Sequence, residues 1–217
     1  MSTSLLESPL LHGLDLDERR KLIEACTPRR FARREIVFHQ GDPGDCMHLV
    51  ASGRFAVRVT TPRGDAADLR VIGVGEVFGE LALLDPTARR SATVVALEQG
   101  HTLALGEAQF TALRRRYPQV DRVLTAMLAA NVRRLSAQVL ESMYLPVDER
   151  LARQLARLAA TYGGHIPLTQ DDVAGMVGTT RATANAVLRR LEDRGVLTLR
   201  RGRITVRDAA ALERIAR

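Results

Sequence analysis

The spacing of apolar and polar positions divides the chain into regimes of different period. Residues 1–27 read as a polar leader followed by a short helix. Asp15 or Asp17 is its expected N-cap, and Leu22, Ile23 and Ala25 its buried face. From Arg30 to Leu105 the pattern changes to short β-branched runs broken by glycine or proline. Residues 36–38, 48–50, 55–59, 69–72 and 93–97 are the strand candidates. Residues 61–68, with Pro62, Arg63 and Gly64 exposed, read as a hairpin tip. Such spacing predicts a β-roll or jelly-roll sandwich.

The helical period returns at 107–116, with Phe110 and Leu113 inward, and Pro118 then opens a long helix reaching about Tyr144. Val120, Leu124, Leu128, Leu135 and Leu145 follow a 4-and-3 rhythm, and Asn131, Gln138 and Ser142 complete the seam. That stripe predicts a parallel two-helix dimer. A second apolar face, through Val123, Met127 and Ala130, suits packing on the chain's own strands.

Pro146 breaks the long helix. Leu151, Leu155, Leu158 and Ala159 mark a further helix ending at Gly163 and Gly164. After a short strand at 166–168, Thr169 and Asp172 resemble a capping box opening a helix over 170–176. Gly178 is the turn, and Thr179 or Thr180 caps a second helix running to about Asp193. Residues 196–199 and 204–206 then flank a basic tip, Arg200, Arg201, Gly202 and Arg203. Two helices joined by a tight glycine turn and followed by a basic hairpin make a winged helix-turn-helix.

The stretch with the densest chemistry is 75–95: a strand end at Val77 and Phe78, a turn at Gly79, one helical turn over 80–84, a break at Asp85 and Pro86, and a new strand. The amides of Glu80, Leu81 and Ala82 open that helical turn, where N–H groups and the helix dipole favour an anion. Arg90 returns at the head of the next strand, beside Ser91. A guanidinium fork suits a phosphate, and an ionised carboxylate such as Glu80 suits a sugar hydroxyl. Together they describe a nucleotide. The alternative is that Glu80 and Arg90 form an ion pair tying two strands together.

This stretch resembles the phosphate-binding cassette of cyclic-nucleotide-binding domains, and Gly41-Asp42-Pro43-Gly44-Asp45 and Ser52-Gly53 resemble turns of the same β-roll. With the downstream helix-turn-helix, the whole chain resembles the catabolite activator (cyclic-AMP receptor) family, or Crp/Fnr superfamily, of bacterial transcription factors. The resemblance implies an α+β architecture: a cyclic-nucleotide-binding β-roll over 1–117, a dimerisation helix over 118–145 and a winged helix-turn-helix over 146–217. It implies a nucleotide site of Gly79, Glu80, Leu81, Ala82, Arg90 and Ser91, joined from the long helix by Asn131, Leu135 and Ser136. Leu135 and Ser136 stand where relatives carry two adenine-contacting hydroxyls. With one of them lost, cyclic AMP is the expected effector and the choice against cyclic GMP is blurred. A ligand-independent regulator, or one reading another small molecule, is the alternative.

For DNA, Thr180, Arg181, Ala182, Thr183 and Asn185 fall where the second helix meets the major groove. Arg181 matches a guanine-reading arginine, whereas Ala182 and Ala186 replace residues the family commonly uses for reading. A different, still pseudo-palindromic operator is therefore implied. Thr180, Thr183 and Arg203 suit phosphate clamping. The resemblance also admits RNA polymerase as a partner.

Composition narrows the classes further. The 217 residues suit two small domains. No apolar run approaches the roughly 20 residues of a membrane span. No basic-then-apolar leader is visible, as expected of a cytoplasmic protein. Cys26 and Cys46 cannot form a four-cysteine cluster, and are expected to be buried apolar thiols. His39, His48 and His101 lack metal-ligand spacing and read as surface or satisfied histidines. From Val147 onward 13 arginines face 8 acidic residues, against 19 basic and 17 acidic residues before it. A basic C-terminal excess points to a phosphate backbone. A winged helix, with no kinase-inhibitor segment or membrane span, disfavours a regulatory subunit of a kinase or channel. No nucleophile with a base, metal spacing or phosphate-transfer loop points to an enzyme.

Overall fold

The computed structural model describes residues 5, 7–11, 14–60, 66–85, 87 and 89–216. The expected hairpin tip at Pro62, Arg63 and Gly64 lies outside them. The chain forms two compact units, Met1–Val132 and Arg133–Arg217.

In the first unit, α1 (Leu16–Ala25) starts at Asp15, whose carboxylate accepts from the Glu18 amide while Glu18 accepts from the Asp15 amide. The strands are β1 (Thr27–Phe31), β2 (Ile36–Phe38), β3 (Cys46–Ser52), β4 (Phe55–Thr60), β5 (Ala66–Ile72), β6 (Val77–Phe78), β7 (Thr93–Ala96) and β8 (Gly100–Gly106). They form two antiparallel sheets, ordered β1-β8-β3-β6 and β2-β7-β4-β5. Val50, Phe55, Ile72, Phe78, Val94 and Ala96 fill one core. A second core joins Leu49 and Met47 of β3 to Phe110 and Leu113 of α3 (Glu107–Arg116). The helical turn α2 (Leu81–Leu84) sits between β6 and β7.

Four sequence expectations need correcting. The leader is not merely polar, since Leu5, Leu10, Leu11 and Leu14 are buried in the second core. Ala25 is exposed, and Ile23 is the buried residue of α1. Strands β1 and β8 have no counterpart among the candidates. Pro28 and exposed Arg29 and Arg30 mask β1, and Gly100 and Gly106 bracket β8 like loop residues. Finally, several residues of the expected seam of the long helix α4 (Gln119–Tyr144) are engaged within the chain itself. Val120 and Leu124 are fully buried in the unit's own core. Asn131 accepts from Arg70 of β5 at 3.1 Å, Gln138 accepts from Arg134 at 2.8 Å, and Ser142 donates to the Val139 carbonyl at 2.7 Å. The large exposed apolar residues of α4 are Leu135 of the expected seam together with Val132, Val139, Leu140, Met143 and Tyr144.

In the second unit, α5 (Val147–Tyr162) buries Leu151, Leu155 and Leu158. β9 (His165–Ile166), β10 (Leu197–Arg200) and β11 (Arg203–Val206) form a small sheet ordered β10-β11-β9. Helix α6 (Gln170–Val177) carries the expected capping box: the Asp172 amide donates to Thr169 Oγ1 at 3.1 Å and the Thr169 amide to Asp172 Oδ2 at 2.8 Å. Gly178 separates it from α7 (Arg181–Asp193), and α8 (Ala209–Ile215) closes the unit against α5. Among the described residues no helix is long and apolar enough to cross a membrane.

Candidate nucleotide site and helix-turn-helix surface

Arg90 is buried at 4% exposure, and its surroundings explain how. The turn before β3 grips its backbone from both sides. The Arg90 amide donates to the Asp42 carbonyl at 2.9 Å, and the Gly41 amide donates to the Arg90 carbonyl at 2.8 Å. That turn also approaches the cassette closely at Gly44, where an added Cβ would lie 2.0 Å from Ala82 Cβ. The guanidinium Nη1 donates to the Gly79 carbonyl at 3.1 Å and Nη2 to Asp45 Oδ1 at 3.2 Å. A Cβ at Gly79 would sit 2.6 Å from Nη1, and its φ of +81° already favours glycine. The guanidinium lies 4.1 Å over the Phe38 ring. Its Nε is buried without an acceptor. A buried donor without a partner costs about 1–3 kcal/mol, so this arginine is suited to an incoming anion.

Glu80 caps α2, and its carbonyl accepts from the Leu83 and Leu84 amides at 3.0 and 3.1 Å. The side chain is buried, and burial pushes its carboxyl above the usual range. Its own amide, then Arg70, then Arg90 oppose that rise. Among the described residues no ion pair joins Glu80 to Arg90, whose acidic partner is Asp45. The strand-tying ion pair is thus not the role of these two residues. A shielded carboxylate and a partly engaged guanidinium remain on one cassette.

Of the other expected site residues, Ala82 is buried and Gly79 half-buried, whereas Leu81 and Ser91 are exposed. Asn131 is half-buried and held by Arg70. Leu135 and Ser136 are exposed and belong to the second unit. Sequence reasoning missed Phe38, Asp45, Cys46 and Arg70. Asp45 ends the glycine turn that was recognised, so its nearness to the cassette carried a signal; the others carried none.

Cys46 is not an apolar thiol. It is half-buried, accepts from Arg90 Nη2 at 3.7 Å and lies 3.5 Å from His48 Nε2. Burial, and then Asp45, raise its pKa. The Cys46 hydrogen bond is the main reason that the Asp45 carboxyl falls below its usual range. Cys26 is half-buried too, and desolvation raises it to about 11. His48 is a satisfied core histidine. It pairs with Thr102 Oγ1 at 2.9 Å and stacks on Phe78 at 4.9 Å, while burial and then the Arg90 charge lower its pKa to about 4.

In the second unit, Thr180 caps α7 by accepting from the Thr183 amide at 3.1 Å. Ala184, Val187, Leu188 and Leu191 bury one face, which leaves Arg181, Ala182 and Thr183 exposed on the first turn. Asn185 is half-buried, with Oδ1 lacking a hydrogen-bond partner. Arg200 and Arg203 are paired across the two-residue tip of the β10–β11 hairpin, and Arg200, Arg201 and Arg203 are all exposed. Glu192 ties this hairpin to α7 by accepting from the Leu199 amide at 2.7 Å, the leading cause of its lowered pKa. The helix start and the basic tip are thus fixed on one small body.

A β-roll with a buried arginine on a glycine-led cassette, in a chain with a winged helix-turn-helix, marks the class of DNA-binding proteins that carry a nucleotide-binding type of β-roll. The family model described as "Cyclic nucleotide-binding domain" matches residues 28–117, and that of the "Crp-like helix-turn-helix domain" matches residues 149–215. The chain is 36% identical to the "Cyclic AMP receptor protein" of Thermus thermophilus over 96% of this chain and 97% of that one. It is 28% identical to the "CRP-like cAMP-activated global transcriptional regulator" of Mycobacterium tuberculosis, over the full length of both. The crystal structure of the Thermus thermophilus "Catabolite Activator Protein" shares 35% identity, covers 96% of this chain and 98% of its own, and superposes with a TM-score of 0.58. The chain belongs to the Crp/Fnr family of transcription regulators. The relatives it matches are regulators rather than enzymes.

Proposed function

We propose that the protein is a homodimeric, cytoplasmic transcription regulator whose affinity for a pseudo-palindromic DNA site is set by cyclic AMP. The observation that carries the ligand is Arg90: a buried guanidinium with an unpaired Nε, beside a buried carboxylate on the same cassette. Arg90 takes the cyclic phosphate, with the Ser91 hydroxyl beside it. Glu80 accepts from the ribose hydroxyl, and Gly79, Leu81 and Ala82 line the backbone side. Two relatives named for cyclic AMP support the choice of nucleotide.

Dimerisation runs through α4. Val132 and Val139 stand seven residues apart and alternate with Leu128 and Leu135. A β-branched residue at one core position with leucine at the other favours two parallel strands. In the DNA-binding domain, Arg181 reads a guanine, Ala182 offers a methyl contact, and Thr180, Thr183, Asn185 and Arg203 engage the backbone or flanking edges. RNA polymerase is a further partner that such a regulator could engage.

Calorimetric titration of wild type and Arg90→Ala with cyclic AMP and cyclic GMP tests the reading. Heat with wild type, abolished by Arg90→Ala, is expected. No heat with either nucleotide at millimolar concentration leaves a ligand-independent regulator. Undiminished binding by Arg90→Ala places the pocket elsewhere.

A further inference from the structure

Asp45 shares the guanidinium on which the nucleotide reading rests. On Arg90, Nη1 is taken by the Gly79 carbonyl, while Nη2 donates to Asp45 Oδ1 at 3.2 Å and to Cys46 Sγ at 3.7 Å. Nε is buried without an acceptor. Nε and Nη2 lie on one edge of the guanidinium, an edge that can hold an oxyanion through two parallel N–H bonds. Half of that edge is open and half is held by Asp45. The Arg90 side chain is 3% exposed and that of Asp45 88%, so the carboxylate lies on the solvent side, from which a ligand arrives.

Asp45 has little room to withdraw. Its carbonyl accepts from the Glu107 amide at 3.2 Å, and the next residue, Cys46, pairs with Gly106 as β3 begins. On its other side Gly44 packs against Ala82 too closely for a side chain to fit between them. Only the short side chain can swing. Its carboxyl lies below the usual range, chiefly through the Cys46 hydrogen bond, so it is ionised at neutral pH. Arg89, the neighbouring cation, is turned to the Gly41 carbonyl at 3.0 Å. Arg90 and Asp45 are thus a pair without net charge, and its negative member stays beside any phosphate that Arg90 takes.

Phosphates differ in what they bring to such a pair. A cyclic phosphodiester carries a single negative charge, whereas a phosphomonoester carries about 1.5 to 2 at pH 7. Arg90 meets the first charge, and the surplus meets the Asp45 carboxylate.

We propose that Asp45 is a specificity-determining residue of the phosphate site, a fixed negative charge that admits a cyclic phosphodiester and penalises a phosphomonoester such as AMP. This rests on the nucleotide reading of Glu80 and Arg90 given above, and deepens it by naming the class of phosphate the site accepts.

The test is calorimetric titration of wild type, Asp45→Asn and Asp45→Glu with cyclic AMP and with adenosine 5′-monophosphate. Asp45→Asn is nearly isosteric and keeps an acceptor for Nη2 while removing the charge. It is expected to tighten cyclic AMP about threefold and AMP about tenfold or more, so that the preference for the cyclic form narrows at least about threefold. Asp45→Glu keeps the charge and should hold the wild-type preference to within about twofold. Equal gains for both nucleotides in Asp45→Asn, or no tighter binding of AMP, overturn the proposal. Weaker cyclic AMP binding by Asp45→Asn overturns it too, and makes Asp45 the group that orients Arg90. An Asp45→Glu that behaves like Asp45→Asn replaces charge by shape as the cause and likewise overturns it. Wild-type protein that binds no cyclic AMP overturns the nucleotide reading itself, and this inference with it.

Discussion

Replacing Arg90 by methionine separates a structural arginine from a ligand-binding one, because the two roles predict opposite balances. In the ligand-free protein, the loss comprises a cation–π contact with Phe38, about 1 kcal/mol, and the charged hydrogen bond to the Gly79 carbonyl, about 1.5 kcal/mol. The partnership with Asp45 adds little, because that side chain is 88% exposed and is resolvated when Arg90 leaves. Against this stands the relief of the unpaired buried Nε, about 1–3 kcal/mol, and of burying a charge at all, which apolar replacements of similar volume often convert to neutral or better. The net change in stability should lie within about 1 kcal/mol of zero. For the ligand the terms do not cancel. Two charge-assisted bonds to a phosphate, at about 1.5 kcal/mol or more each, amount to at least a hundredfold in Kd. Thermal unfolding by circular dichroism, with and without cyclic AMP, reads both at once. Wild type at a hundred times its Kd should gain about 2.7 kcal/mol, a rise in Tm of several degrees. Arg90→Met should melt near the ligand-free wild type and gain no more than about 0.4 kcal/mol from the same nucleotide concentration. A ligand-free Arg90→Met destabilised by more than about 3 kcal/mol would show that the arginine exists to hold the β-roll together, and would refute the reasoning.

Three further outcomes are expected. His48 falls from 6.5 to about 4 on folding, so the unfolded chain takes up its proton first; stability is full above pH 6.5 and declines by up to about 3 kcal/mol as pH falls to 4. Glu80, raised by burial, works in the opposite sense at the acid end. Urea titrations across this range should show the decline, and His48→Gln should flatten it; a slope that His48→Gln leaves unchanged assigns it to other groups. In DNA-binding selections, Arg181→Ala should relax preference at one base position by about 1–3 kcal/mol, whereas Arg203→Ala should weaken all sequences alike and lower the salt slope; a site without two-fold symmetry would contradict the dimeric reading. Val139→Glu should convert a dimer to a monomer by light scattering at micromolar concentration, and an unchanged mass would remove α4 as the interface.

The elements that set the candidate site were legible wherever local chemistry decides conformation. The capping residues Asp15, Thr169 and Thr180, the turns at Gly79 and Gly178, and the cassette itself follow from short-range rules and appear as read. What escaped depends on partners distant in sequence. β1 exists because it pairs with β8, from Thr27 opposite Ala104 to Phe31 opposite Gly100, and neither strand advertises itself alone. The stripe of α4 was only partly legible, because a heptad count cannot tell that Val120 and Leu124 serve the unit's own core, or that Asn131 is committed to Arg70. Asp45 and Phe38 reach Arg90 from a separate turn and strand, a convergence no linear motif encodes.

Asp45 gives the site a character of its own. Its carboxylate already occupies one arm of Arg90, so on the reading proposed above an arriving phosphate competes with a resident anion instead of meeting a bare cation. Sensing then works as a competition between two counter-ions for one guanidinium, with the internal one tethered and always present. Such a receptor is quiet towards stray anions that bring nothing beyond charge, since they gain little over the occupant they evict. It answers to a ligand that brings a second anchor at Glu80, and its threshold can be moved at Asp45 without touching any group that contacts the ligand.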